Sequence, residues 1–223
     1  MKKILVTYNL FRDAFAELEE KYEVTFPTEK KFSYEEVLEM IPEYDGLCSL
    51  FNLPVDKELI DRAEKLQIIA NYAVGYDNID VAYALEKGIT VANTPGPVTA
   101  PTANLALALI LDTARRVTEF DRNLRLKGQG YKIALGESLG TSIEGKTLGI
   151  FGMGRIGKAL AKRATACDMK VIYHNRRQLD MNEETKLDAI YVSKEELLEQ
   201  ADFLSLNAPF TAETKHFINA ETL

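Results

Sequence analysis

The sequence contains no tryptophan, two histidines and two cysteines. Cys48 and Cys167 lie far apart without CxxC spacing, and no His or Cys cluster accompanies them. That excludes a disulfide framework and supplies no zinc-type ligand set. Free thiols fit a reducing cytosol, so a cytoplasmic protein is expected. Positive charge is scarce too. The 27 Lys and Arg stand against 34 Asp and Glu, a formal net charge of −7, and no basic run exceeds two residues. Nucleic acid is thereby excluded as the main partner. Long apolar runs are also missing. Met1-Lys2-Lys3 resembles a signal n-region, but the apolar run after it stops at Tyr8-Asn9 and meets Arg12 and Asp13, too short for an h-region. Ile4-Leu5-Val6 is expected instead to be a buried strand. The most apolar later stretch, Leu105 to Leu111, is too short to span a membrane.

What is present is enough apolar residue for a packed core and enough length, 223 residues, for one large or two small domains. The first part alternates short apolar runs with helical patterns. Strands are predicted at Ile4–Val6, Tyr22–Thr25, Gly46–Leu50, Leu66–Asn71 and Ile89–Ala92. Helices are predicted at Phe11–Lys21, where Phe11, Phe15 and Leu18 share a face, and at Phe32–Ile41, Asp56–Lys65 and Asp80–Lys87. In the second of these, Ser33 and Glu36 form a capping-box pattern. This alternation means βαβ units and a parallel sheet covered by helices.

The run Asn93 to Pro101 holds three prolines and a glycine and is predicted to be an irregular connector between domains. Thr102 to about Leu126 then reads as one long helix. Its first half, Leu105 to Leu111, is apolar nearly all round, which predicts burial on most sides. Its second half is charged, and a loop with Gly128, Gly130, Gly136 and Gly140 follows. The βαβ rhythm restarts with a strand at Thr147–Phe151, a helix at Arg155–Ala166 and a strand at Lys170–Tyr173. A short strand at Ile190–Val192 leads through Ser193 into a helix, Phe203–Leu206 is another strand, and Leu223 falls in what reads as a further helix.

Gly152-Met153-Gly154-Arg155-Ile156-Gly157 is a full GxGxxG. Alone that is weak evidence. Here it follows an apolar strand and opens a helix inside a βαβ unit, the context of a dinucleotide-binding turn. Gly152 permits the tight turn, Gly154 has no side chain to hold off a diphosphate, and Gly157 lets helix and strand approach closely. The first N–H groups of the helix then face the diphosphate. An NAD site wants a carboxylate at the end of the second strand, for the ribose hydroxyls. That place falls at Asn175, followed by Arg176 and Arg177. A neutral Asn does not repel a 2′-phosphate and two guanidiniums can bind it, so NADP is expected rather than NAD.

Three segments together resemble the D-isomer-specific 2-hydroxyacid dehydrogenases: Asn71-Tyr72-Ala73-Val74-Gly75-Tyr76-Asp77-Asn78-Ile79-Asp80, then Asn93-Thr94-Pro95-Gly96, then Gly145 to Gly157. The Asn-Arg-Arg strand end is most similar to the glyoxylate/hydroxypyruvate reductase branch. The resemblance implies an α/β protein with a flavodoxin-like substrate domain at 1–98 and a Rossmann NAD(P)-binding domain at 99–223. It implies that the Val74 and Gly75 N–H groups take the substrate carboxylate, and that Asn52, in the loop Leu50–Leu53, shapes substrate choice. Thr102, Arg155, Ile156, Ala208 and Pro209 would join Gly152, Gly154, Gly157, Asn175, Arg176 and Arg177 around the cofactor. The substrate would be a small 2-keto acid, reduced to the D-2-hydroxy acid, and the long helix would pair two copies into a homodimer.

The family continues with a strand ending in a catalytic Arg, then a Glu, then a Pro-His segment, and no such segments occur in these 223 residues. His174 and His216 match no catalytic position. The resemblance therefore implies a C-terminally shortened chain with an incomplete Rossmann domain, no catalytic residue of its own and no activity by itself. A non-enzymatic dinucleotide-binding or corepressor-like protein is the alternative.

Overall fold

A computed structural model describes residues 1–9, 12–128, 132, 136 and 138–222. The chain divides into two compact units, Met1–Gly96 and Pro97–Leu223.

The first unit carries five parallel strands: β1 (Lys3–Val6), β2 (Glu23–Thr25), β3 (Gly46–Ser49), β4 (Ile68–Asn71) and β5 (Thr90–Ala92). Their order is β2-β1-β3-β4-β5, the flavodoxin-like arrangement. Leu5, Leu47 and Ile69 of the central strands are fully buried against Val37 and Ile41, and against Leu59 of α3 (Lys57–Arg62). The helix α2 (Tyr34–Met40) has the complete capping box, Ser33 accepting from the Glu36 N–H and Glu36 accepting from the Ser33 N–H. Asp56 caps α3, and Asp80 caps α4 (Val81–Glu86). The expected helix at Phe11–Lys21 is shorter and partly 3-10. Arg12–Phe15 is a 3-10 turn, α1 is Ala16–Glu19, neither buries a residue, and Phe11 lies outside the described residues. Without burial of an apolar face, a segment this short gains little from helical propensity alone.

The second unit carries β6 (Thr147–Phe151), β7 (Lys170–His174), β8 (Ala189–Tyr191) and β9 (Phe203–Leu206), all parallel, in the order β8-β7-β6-β9. This is the 3-2-1-4 order of a Rossmann sheet, with the reversal between β6 and β9. Alternate residues of each strand serve opposite faces. Leu148, Ile150, Val171 and Tyr173 pack with Leu160, Ala161 and Ala164 of α7 (Arg155–Thr165), while Phe151 and Ile172 pack with Val192 and Leu197. Leu197 lies on α9 (Lys194–Gln200).

The long helix differs from expectation in three ways. It begins at Thr99, because Pro101 falls in the first turn, where its missing N–H has no intrahelical acceptor to lose. It is two helices, α5 (Thr99–Arg115) and α6 (Val117–Lys127), broken at Arg116, which is left-handed with φ 56°. The Thr141 N–H donates to the Ala114 carbonyl at 2.8 Å, and Asp112 accepts from the Thr118 N–H at 2.8 Å, so one remote contact and one local side-chain cap hold the two sides of the break. Finally, α5 is not buried on most sides. Ala103, Ile110 and Ala114 face the core, but Leu105 and Leu109 are 60% and 56% exposed. A helix α8 (Met181–Leu187), capped by Asp180, stands where none was expected. Residues 212–222 form turns rather than the expected helix.

Candidate cofactor cavity and backbone amides

The chemistry of the second unit gathers at the carboxyl ends of its strands. A cavity of about 640 Å³ opens there. Gly152 and Gly154 form one wall, Asn175, Arg176 and Arg177 another, and Asn207, Ala208 and Pro209 a third. Open α/β sheets bind ligands at this edge, where the strand order reverses.

Each glycine of the turn has a distinct physical reason. Gly152 sits at φ 101°, and a Cβ there would overlap the backbone of Asn207 and Ala208. A Cβ on Gly157 would overlap the Gly152 carbonyl, so helix and strand touch at that point. A Cβ on Gly154 would meet nothing within 4 Å. Packing therefore does not require Gly154; the open space above it is what a diphosphate needs. Gly154 precedes α7 without a side-chain cap, which leaves the positive end of an 11-residue helix facing that space.

Asn175 has a task within the protein. Its Oδ1 accepts from the Met153 N–H at 2.7 Å. Its carbonyl accepts from the Tyr191 hydroxyl at 3.2 Å. The far end of the same loop is held by the buried Tyr173, whose hydroxyl accepts from the Leu179 N–H at 2.9 Å and donates to Glu184 at 2.7 Å. Burial, and next the Glu184 hydrogen bond, push the Tyr173 hydroxyl well above its usual pKa, so it stays a donor. The exposed pair Arg176-Arg177 is thus carried on a loop clamped at both ends, with neither guanidinium bonded to another described residue.

Four expected cofactor residues do not line this cavity: Thr102, Arg155, Ile156 and Gly157. Gly157 serves the helix–strand contact, and Thr102 is an exposed residue of α5. Lys194, Glu213 and Thr214 line the cavity without having been expected there. The signal for Lys194 was present, since it follows the Ser193 cap at the end of a strand. His174 also lines the cavity, with Nδ1 2.9 Å from the Val192 carbonyl. His216 is exposed.

The first unit has its own polar centre after β4. The carbonyls of three successive residues are held from within. Thr94 donates to Ala73 through its N–H at 3.0 Å and its hydroxyl at 3.2 Å. Asn93 Nδ2 donates to the Val74 carbonyl at 2.8 Å, and Asn71 Nδ2 to the Gly75 carbonyl at 2.8 Å. Asn71 is buried and is itself fixed by the Ser49 hydroxyl, at 3.1 Å. Asn78 ties the neighbouring loop by donating to the Leu53 carbonyl at 2.9 Å. With the carbonyls engaged, the N–H groups of Val74 and Gly75 bond to no other described residue. Successive open amides are groups to which an anion can bind. Asn52 is exposed in the turn after β3. Among the described residues no cluster of His, Cys, Asp or Glu could hold a metal ion, and no helix is long and apolar enough to cross a membrane.

A parallel sheet of this order with a glycine turn at its reversal defines a dinucleotide-binding protein of the α/β class. The sequence model of the D-isomer specific 2-hydroxyacid dehydrogenase, NAD binding domain, matches residues 107–223. A glyoxylate reductase of Thermococcus litoralis is 45% identical over 226 aligned positions, covering 99% of this chain and 68% of the relative. The crystal structure of a glyoxylate reductase from Paecilomyes thermophila aligns with TM-score 0.87 at 32% identity, over 99% of this chain and 69% of that one. A D-lactate dehydrogenase from Aquifex aeolicus, complexed with NAD and lactic acid, aligns with TM-score 0.85 at 25% identity, over 99% of this chain and 65% of that one. The chain belongs to the D-isomer-specific 2-hydroxyacid dehydrogenase family. It spans about two-thirds of the length of the glyoxylate reductases it matches.

Proposed function

We propose that these residues form the substrate domain, 1–98, and most of the NADP-binding domain, 99–223, of a reductase for a small 2-keto acid of the glyoxylate or hydroxypyruvate type. The observation that carries the cofactor reading is the wall Asn175-Arg176-Arg177 in the cavity beside the glycine turn. No acid stands at the strand end, and two guanidiniums bonded to no other described residue do. Each charge-assisted hydrogen bond to a phosphate contributes about 1.5–3 kcal/mol.

The residues fit the dinucleotide. Open space over Gly154 accepts the diphosphate, and Ala208-Pro209 closes the cavity from the β9 side. When bound, the reduced nicotinamide supplies the hydride. The protein's part is to orient and to discriminate. The Val74 and Gly75 N–H groups would hold the keto-acid carboxylate, and Asn52 and its loop would select the group beyond the carbonyl. The product alkoxide needs a proton from a general acid. His174 is turned to the Val192 carbonyl through Nδ1 within the cavity's arginine end, and His216 is exposed. Neither supplies that acid, and residues 1–223 alone bind cofactor without turning over.

The exposed apolar side chains of α5 and α6 support a homodimer built on these helices, since two-fold pairing is the commonest closed assembly. Both cysteines are free, which supports a cytosolic location.

The test uses a chimera of residues 1–223 followed by the last third of the Thermococcus litoralis relative. It should reduce glyoxylate or hydroxypyruvate, with NADPH preferred over NADH, and Arg176→Ala with Arg177→Ala should shift the preference toward NADH. Equal or better use of NADH by the unaltered chimera would sink the cofactor reading. Residues 1–223 alone should show no turnover with glyoxylate, hydroxypyruvate or pyruvate. A rate near the ordinary enzymatic range of about 1–10³ s⁻¹ would overturn that expectation.

A further inference from the structure

Strand β8 pairs in parallel with β7, Val171 opposite Ala189 and Tyr173 opposite Tyr191, so their carboxyl ends emerge side by side. Arg176 and Arg177 follow β7 and Lys194 follows β8, and all three line the same cavity. Three hydrogen bonds fix the two strand ends to each other. The Val192 N–H donates to the Tyr173 carbonyl at 3.0 Å. His174 Nδ1 lies 2.9 Å from the Val192 carbonyl and, facing an acceptor, carries the proton. The Tyr191 hydroxyl donates to the Asn175 carbonyl at 3.2 Å. Ser193 then starts α9 with a reciprocal capping box to Glu196. The backbone at Lys194 is thus held against the segment that carries the arginines.

By local criteria Lys194 is misplaced. It is the first residue of α9, where the helix dipole disfavours a cation, and the next two residues, Glu195 and Glu196, are the acids such a position favours. Its ammonium makes no bond to another described residue. The chain as a whole carries a formal charge of −7, yet this cavity gathers three cations, Arg176, Arg177 and Lys194, against one carboxylate, Glu213. The diphosphate common to NAD and NADP belongs over Gly154, after β6. The cations lie on the other side of that place, after β7 and β8. The group that distinguishes NADP, the ribose 2′-phosphate, is the anion this surplus of positive charge matches.

We infer that Lys194 is a third contact for the ribose 2′-phosphate and, with Arg176 and Arg177, sets the preference for NADP. The inference rests on the NADP reading of the same cavity. The 223-residue chain is titrated by calorimetry with 2′,5′-ADP, which carries the 2′-phosphate, and with 5′-AMP, which lacks it. The unaltered chain should bind 2′,5′-ADP more tightly. Lys194→Gln should lose about tenfold in 2′,5′-ADP affinity and none in 5′-AMP affinity, while Lys194→Arg should keep both. Equal affinity of the unaltered chain for the two nucleotides overturns the NADP reading, and Lys194 with it. A preference that survives intact in Lys194→Gln overturns the role of Lys194 alone. Equal losses for both nucleotides assign Lys194 a merely structural part and overturn the inference as well.

Discussion

The side-chain oxygen of Asn175 accepts a hydrogen bond from the Met153 backbone N–H at 2.7 Å, and so ties the end of β7 to the glycine turn after β6. The residue to which the proposed cofactor reading gives the ribose thus also braces the glycine turn. Asn175→Ala should therefore weaken NADPH and NADH alike and lower stability by about 1 kcal/mol, the net worth of one hydrogen bond. Asn175→Asp keeps an acceptor for Met153 but adds a charge that repels the 2′-phosphate and suits the ribose hydroxyls. It should keep the melting temperature and shift the preference toward NADH. Paired binding titrations and thermal melts check this. An Ala variant that loses only NADPH would show that the tie to Met153 has no bearing on the turn.

The three glycines should separate in their effects. Gly152→Ala and Gly157→Ala force a Cβ into backbone atoms, and overpacking of this kind costs about 1–3 kcal/mol. Gly154→Ala meets nothing within 4 Å, so it should melt like the unaltered chain while binding cofactor poorly. Urea titration gives the stabilities and calorimetry the affinities. If Gly154→Ala proves the least stable of the three, the open space over it has been misread.

Exposure along α5 and α6 bears on assembly. Leu105, Leu109 and Val117 are 60%, 56% and 57% exposed, an apolar surface that a second copy would cover. Sedimentation should find a dimer, and Leu105→Lys combined with Leu109→Lys should give a monomer. A monomeric unaltered chain over a wide concentration range would count decisively against the pairing.

The start of the second sheet carries a pH dependence. Asp202 accepts from the Thr147 N–H at 2.8 Å and from Lys146 Nζ at 3.0 Å. The backbone hydrogen bond first, and Lys146 next, hold its carboxyl below the usual carboxylate range. A depressed folded-state pKa stabilises the fold fully above the unfolded value, about 3.9 for Asp, and this is lost as pH falls through the folded value. Asp202→Asn should accordingly be less stable than the unaltered chain at neutral pH, with the gap closing below about pH 4. Melts across pH check it. A gap that widens in acid would reverse the sign.

What was legible in the sequence was short-range. The Ser33–Glu36 box, the Ser193 cap and the run Phe203–Leu206 each appear in the structure where spacing placed them. The helix α8 was equally legible, since Asp180 and Glu183 stand at capping distance and the Asp180 side chain accepts from the Glu183 N–H at 2.9 Å. The break at Arg116 was not. Its left-handed backbone is held by Thr141 and by the close approach of Gly140, where a Cβ would sit 2.5 Å from the Ala114 carbonyl oxygen. Those residues are remote in sequence.

By itself the sequence determined the parallel α/β class, the glycine turn and the run Asn175-Arg176-Arg177, without a carboxylate, at the end of β7. These depend on cap chemistry, hydrophobic period and the steric freedom of glycine, which act over a few residues. Only the tertiary structure decided that Lys194 lines the same cavity as the arginines, that Asn175 serves the Met153 N–H, that the Val74 and Gly75 amides bond to no other described residue, and that Leu105 and Leu109 of α5 stay exposed among the described residues. Each of those depends on which strand lies beside which. Strand order and register come from pairing between distant segments, and a local pattern does not encode that distance.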